Sequence, residues 1–206
     1  YHCYKDKDGV KVFLDDYAYL AQLMINFYET TGEINYLEDA KKIVQQTWDL
    51  FYDKENKILQ KNPIKQNDLF VPPLDINDSN IPNGNSVFLL NCKKLEAITN
   101  DTKWQGMAKE LIQSFHSFLN LKSTQMVSYI KNLDMCEELT TFTFFGDIKK
   151  IKELQQFVKK NYLKSSTLIY KEDPKENYLV VCKNQTCSNK IKSIEELKSV
   201  VKNYAI

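Results

Sequence analysis

Over residues 15–28 apolar side chains cover nearly the whole circumference of a helix. The polar positions Asp15, Gln22, Asn26 and Glu29 are spaced by seven, four and three, so they fall in one narrow stripe. A helix apolar on most sides is normally an inner element of a helical array. The next segment, 36–52, differs: Leu37, Ala40, Val44, Thr47, Trp48 and Phe51 share one face, with Lys and Gln opposite. That is an amphipathic outer helix, and Gly32 supplies the left-handed residue expected where the inner helix stops. The pair then recurs. Residues 86–98 are apolar on most sides, and Trp104, Ala108, Leu111, Ile112, Phe115 and Leu119 form a second amphipathic stripe.

The two pairs are related at a constant offset of 68: Thr31-Gly32-Glu33, Tyr36, Ala40-Lys41 and Ile43-Val44 answer to Thr99-Asn100-Asp101, Trp104, Ala108-Lys109 and Leu111-Ile112. Tetratricopeptide arrays recur at ~34 residues with short turns, so they do not fit. Here a connection over 53–85 separates the pairs and holds Pro63, Pro72, Pro73 and Pro82 without helical period. Connections of that length are functional or carry a small hairpin. Repeated around an axis, such units close into an α/α toroid whose long loops rim one mouth.

Beyond a short helix over 125–137 the period changes. Residues 139–145 are β-branched and aromatic and end in Gly146-Asp147, which predicts a strand and a turn. An amphipathic helix over 148–162, strands over 167–170 and 178–182, and a helix over 194–204 follow. Ser193 with Glu196 forms a capping box for the last of these. The expected fold class is mainly α with a small α/β part. Helical hairpins of a partial toroid occupy residues 1–136, and a small α/β unit occupies 137–206.

Composition narrows the classes. The formal net charge is +1, and all 28 basic residues are Lys. A nucleic-acid surface would need a clear basic excess, and without arginine the chain has no bidentate clamp for phosphate or carboxylate. Hydrophobic content of 43% suffices for a core, and no apolar run approaches the ~20 residues of a membrane span. Five scattered Cys without a secretory signal fit a reduced, cytoplasmic protein. The sequons at Asn77 and Asn184 lack a secretory context. The chain begins at Tyr1 and enters patterned sequence at once, so a piece of a longer polypeptide is expected.

Three stretches carry a family resemblance. Phe13-Leu14-Asp15-Asp16-Tyr17-Ala18 with Phe27-Tyr28-Glu29-Thr30-Thr31-Gly32 resembles a signature of the thioredoxin-domain-containing proteins related to spermatogenesis-associated protein twenty. Asp78-Ser79-Asn80-Ile81-Pro82-Asn83-Gly84-Asn85-Ser86 is similar to that family's Asp-x-Ala-x-Pro-Ser-Gly-Asn-Ser motif, with Asn80 and Asn83 replacing a small residue and a Ser. Cys182-Lys183-Asn184-Gln185-Thr186-Cys187 resembles its C-terminal Cys-x-Asn-x-x-Cys. The resemblance implies an N-terminal thioredoxin-like domain followed by an (α/α)6 toroid of the six-hairpin glycosidase type, of which this chain matches the last third, with about two hairpins and the terminal α/β unit. Its fold relatives include N-acylglucosamine epimerases and glycosidases, and a shared fold licenses no reaction by itself.

Each candidate residue has a functional and a structural reading. Asp16 opens the first inner helix, and acids at a toroid mouth can act on a sugar as general acid or base, which needs two carboxylates facing one bond; Asp78 is the other plausible one. The structural reading has Asp15 or Asp16 capping one helix and Asn85 or Ser86 the other. Gly84 is expected at φ > 0 in a turn feeding the helix, while Tyr17, Asn85, Ser86 and His2 are the candidate ligand-binding groups. His116, on the outer helix, reads as a packing residue. Two distant His without a carboxylate cluster argue against a catalytic metal, and no cofactor is implied. Cys182 and Cys187 are reduced and structural, or joined as a local disulfide; without two further ligands they do not make a zinc site, and their spacing is not that of a thioredoxin centre.

Two functions follow. One is a carbohydrate-handling toroid, active only in the full-length context. The other is a non-catalytic scaffold supporting an upstream thioredoxin-like domain. A cavity lined by Asp16, Tyr17, Gln22 and Asn26 favours the first, and a filled apolar inner face the second. The expected partners are the remainder of a longer polypeptide or a second copy, and in the first reading a carbohydrate, with neither nucleic acid nor membrane. An arc of two hairpins exposes the flank of its first inner helix (Tyr17, Leu20, Leu23, Met24, Phe27), so a homodimer is the simplest closure.

Overall fold

The structure, a computed structural model, describes residues 12–64, 76–162, 166–184 and 186–203. His2, the turn at Gly9, and Pro72 and Pro73 lie outside them. The described chain is mainly α with a small α/β part, and it divides into two compact units. The first comprises residues 1–28 and 33–136, the second Glu29–Gly32 with Glu137–Ile206.

The first unit holds α1 (Leu14–Thr31, all but its last turn), α2 (Ile34–Phe51), a two-stranded hairpin of β1 (Tyr52–Asp53) and β2 (Ile58–Leu59), α3 (Gly84–Thr99), α4 (Thr102–Lys122) and α5 (Val127–Glu137). The hairpin turn is built on Asp53, whose carboxylate accepts the Glu55 and Asn56 amides and both side-chain amides of Asn56 and Gln60. The offset of 68 is visible in the backbone. Gly32 has φ +78° after α1 and Asn100 φ +56° after α3, and the partner helices begin at Ile34 and Thr102. Gly and Asn are the residues that tolerate that left-handed cap.

The two inner helices differ in cover. Eleven of the sixteen residues of α3 are buried, as its all-round apolar pattern predicts. In α1 Leu14, Ala18, Ala21, Ile25 and Tyr28 are buried, but Leu20, Leu23 and Phe27 are 44%, 45% and 40% exposed. They recur at i, i+3 and i+7 and form one apolar stripe. The interior is aromatic: Tyr17 meets Phe51 edge-on at 5.6 Å, Trp48 stacks on Tyr52 at 3.8 Å and reaches Phe88 at 6.0 Å, and Phe115 stacks on Tyr129 at 4.6 Å. His116 is exposed rather than packed, because the buried stripe of α4 is Trp104, Ala108, Leu111 and Phe115.

The second unit holds β3 (Thr140–Phe145), a 3-10 turn (Ile148–Ile151) leading into α6 (Lys152–Tyr162), β4 (Ser166–Lys171), β5 (Tyr178–Lys183), β6 (Thr186–Cys187) and α7 (Ile194–Asn203). The sheet order is β4-β3-β5-β6, with β3 parallel to β4 and antiparallel to β5. Phe142 lies between Leu168 and Val181 in register. Phe142, Phe144, Leu179 and Val181 alternate onto one core with Leu154 and Val158 of α6 and Leu197 and Val201 of α7. Ser193 caps α7 by accepting the Glu196 amide, while the Glu196 carboxylate reaches the Lys192 amide, one residue outside the expected box.

The outer edge of β4 is closed by Glu29–Gly32. The buried Glu29 carboxylate accepts the Leu168 amide at 3.2 Å, and the Tyr170 hydroxyl donates to the Glu29 carbonyl at 2.7 Å. Lys159 donates to the Thr30 carbonyl, and burial of its ammonium lowers its pKa. An open edge invites pairing with other chains, and a hydrogen-bonded cover removes that hazard.

At the opposite edge β5 and β6 form a hairpin around Asn184, which has φ +50°. Cys182 and Cys187 are directly opposed in its register, with Cα atoms 4.1 Å apart, and are joined by a disulfide. Because the bond closes a loop of sequence separation 5, the double substitution Cys182→Ser, Cys187→Ser is expected to lower stability by only about 1–2 kcal/mol. A urea titration with and without reductant measures this, and an unchanged midpoint would show that the bond adds nothing. No helix among the described residues is long and apolar enough to cross a membrane.

Candidate functional site

Of the polar residues singled out in the sequence, Asp78, Asn85 and Ser86 lie around the N-terminus of α3, while His2 lies outside the described residues. Asn83 is its N-cap: the side chain accepts the Ser86 amide at 3.0 Å and donates to the Ile76 carbonyl at 3.2 Å. Gly84 is the first helical residue and does not have positive φ, which corrects the expected turn. Its requirement is space. A Cβ there would stand 2.6 Å from Leu14 Cγ and 2.7 Å from Asp15 Oδ1, so the starts of α1 and α3 touch only because residue 84 has no side chain.

Asn85 is 1% exposed and points inward, not toward a ligand. Its Oδ1 accepts the Leu59 amide at 3.0 Å and its Nδ2 donates to the Leu59 carbonyl at 2.8 Å, so one side chain satisfies both backbone groups of a buried strand residue. Ser86 is fully buried. Its hydroxyl contacts the Asn83 carbonyl at 2.9 Å and Ser128 Oγ at 2.8 Å, while Ser128 Oγ also reaches Asp78. Each hydroxyl has one proton: Ser128 donates to Asp78, and Ser86 donates either to the Asn83 carbonyl or to Ser128 Oγ. Asn132 closes the group by donating to the Ser86 carbonyl at 2.9 Å.

Asp78 is the hub. It accepts the Asn83 amide at 3.1 Å, Asn83 Nδ2 at 3.2 Å, the Ser128 amide at 2.7 Å and the Ser128 hydroxyl. Partial desolvation is the largest single influence on it and raises its pKa. The bonds from Ser128 and Asn83 together outweigh that and hold it below the usual carboxylate range. Such a carboxylate is a poor proton acceptor. Ser128 lies in the first turn of α5, so Asp78 caps that helix from a distance of 50 residues in sequence. Asp16 is half-buried in the first turn of α1 and accepts the Phe13 amide at 2.9 Å, the geometry of a cap.

Tyr17 is half-buried and packs on Phe51. Its neighbour Tyr19, absent from the sequence-based set, donates to the Pro82 carbonyl at 3.0 Å. Burial first, then the charges of Asp15 and Asp78, raise the Tyr19 pKa. Tyr19, Ser128 and Asn132 carry no local signal as polar clamps, since each is defined by a partner far along the chain. Among the described residues no group of three or more His, Cys, Asp and Glu is arranged to hold a metal ion.

The fold and this cluster define a mainly α chain with a polar clamp at its inner helix starts and a small α/β unit. No protein-family profile matches it. The uncharacterised protein B0495.5 of Caenorhabditis elegans is 21% identical to it over 215 aligned positions, covering 95% of this chain and 29% of the relative. The chain thus spans less than a third of the length of the curated relative it matches.

Proposed function

We propose that this chain is a non-catalytic structural module of a longer polypeptide, a partial α/α toroid whose polar signature is an internal clamp and not a reaction centre. The observation that carries the reading is the commitment of Asp78, Asn83 and Asn85 to backbone groups of the chain itself. The packing of Tyr17 on Phe51 and of Trp48 on Tyr52 and Phe88 supports it as well, because these rings are engaged with one another. The stripe of Leu20, Leu23 and Phe27 is the surface through which the module joins the remainder of the polypeptide.

Two measurements test this. A thermal-shift screen of mono- and disaccharides against the chain and Asp16→Ala is expected to give no saturable rise in Tm; a rise abolished by Asp16→Ala would overturn the proposal in favour of carbohydrate binding. Light scattering of the 206-residue chain is expected to show self-association, reversed by Leu20→Lys with Leu23→Lys. A monodisperse monomer before substitution would show that the stripe needs no cover.

A further inference from the structure

The second unit contains a cavity of about 700 Å3 between the turn that leads into α6 and the start of α7. Lys149, Lys150 and Lys152 line one side, and Lys192 the other. Two carboxylates, Glu153 and Glu195, also line it, and they form no ion pair with these lysines. Among the described residues Lys149, Lys150 and Lys152 have no carboxylate within ion-pair distance, and Lys192 has only Glu176 at 3.9 Å, which is held more closely by Lys190 at 2.6 Å. The other acids nearby are occupied: Asp147 accepts the Lys149 amide and Glu196 the Lys192 amide.

That arrangement is unusual for this chain. Its overall charge is close to balanced, yet four lysines and two glutamates from two distant segments line one concavity. Ile151 and Leu154, which also line it, are anchored in the core of the unit, so the wall carrying three of the lysines is fixed. The volume lies within the range of about 300–1,000 Å3 found for small-molecule sites. Lysine binds as a strongly hydrated point charge and has no planar fork, which suits the dispersed oxygens of phosphate better than paired carboxylate oxygens.

We propose that this cavity is a binding site for a small molecule bearing at least two phosphate groups, held by Lys149, Lys150, Lys152 and Lys192. The site is independent of the clamp around Asp78 and of whether the first unit is catalytic.

Inorganic pyrophosphate is the probe, titrated calorimetrically into the full chain at about 0.15 M salt, where diffuse attraction to exposed charge is largely screened. Saturable equimolar binding is expected. The triple substitution Lys149→Gln, Lys150→Gln, Lys152→Gln is expected to weaken it about tenfold or more. Lys192→Gln alone, on the opposite side, is expected to weaken it by about threefold. A matched triple at the exposed Lys160, Lys175 and Lys202, also to Gln, should leave it within about twofold. Citrate, of comparable charge, should bind about tenfold more weakly. Absence of saturable binding, equal losses in the two triples, or citrate binding as tightly as pyrophosphate would each overturn the proposal.

Discussion

Asn85→Ala is expected to lower the unfolding free energy by about 3 kcal/mol, the largest effect of any single polar substitution considered for this chain. The cost comes from Leu59, which is fully buried and whose amide and carbonyl both lose their partner. Each stranded buried group costs about 1–3 kcal/mol, and β2 is too short for neighbouring ladder bonds to take over. Asn26→Ala, on an exposed position of α1, should change stability by no more than about 0.5 kcal/mol. Chemical denaturation followed by far-UV circular dichroism distinguishes them. Equal midpoints for the two variants would show that Asn85 does not support the strand.

Asp78→Ala ranks next, at about 2–3 kcal/mol, because it removes the acceptor for two backbone amides and two side chains at once. This effect has a pH signature. The native-state pKa of Asp78 is depressed, so its contribution is fully present above the unfolded value of about 3.9 and is lost as pH falls through the lower native value. Asp53 is shifted in the same direction: desolvation, the largest influence, raises it, but the amides of its turn prevail. Stability should therefore decline on acidification below about pH 4. Asp78→Asn should flatten part of that decline and leave the Asp53 share. An unchanged acid-unfolding slope in Asp78→Asn would remove the assigned role.

The reading of Asp78 and Asp16 turns on which partner each carboxylate has, and the sequence presents both as plausible acids. Asp16 could be read locally: its cap partner, Phe13, is three residues away. Asp78 could not, because Ser128 stands fifty residues on. The same distance hid Tyr19, which needs Pro82 beside it, and Glu29, whose partner Leu168 is 139 residues away.

Periodicity determined the kinds and order of the main helices and of β3, β4 and β5, since a 3.6-residue or two-residue repeat of apolar positions survives whatever the elements pack against. The two-residue strands β1, β2 and β6 are too short to show a repeat. Periodicity settled the helix pairs at an offset of 68 and the change to strands after residue 139. Gly32 was legible as a left-handed cap, whereas the same cap at Asn100 came from the structure. Tertiary structure decided what periodicity cannot express. It left one side of the nearly all-apolar α1 uncovered while burying α3, because cover depends on neighbours and not on the helix itself. It set the reason for Gly84, a close approach of Leu14 and Asp15 in place of a backbone angle. It also brought Lys192 to the same cavity as Lys149, Lys150 and Lys152, since a concavity lined from two distant segments exists only once both are folded against one core.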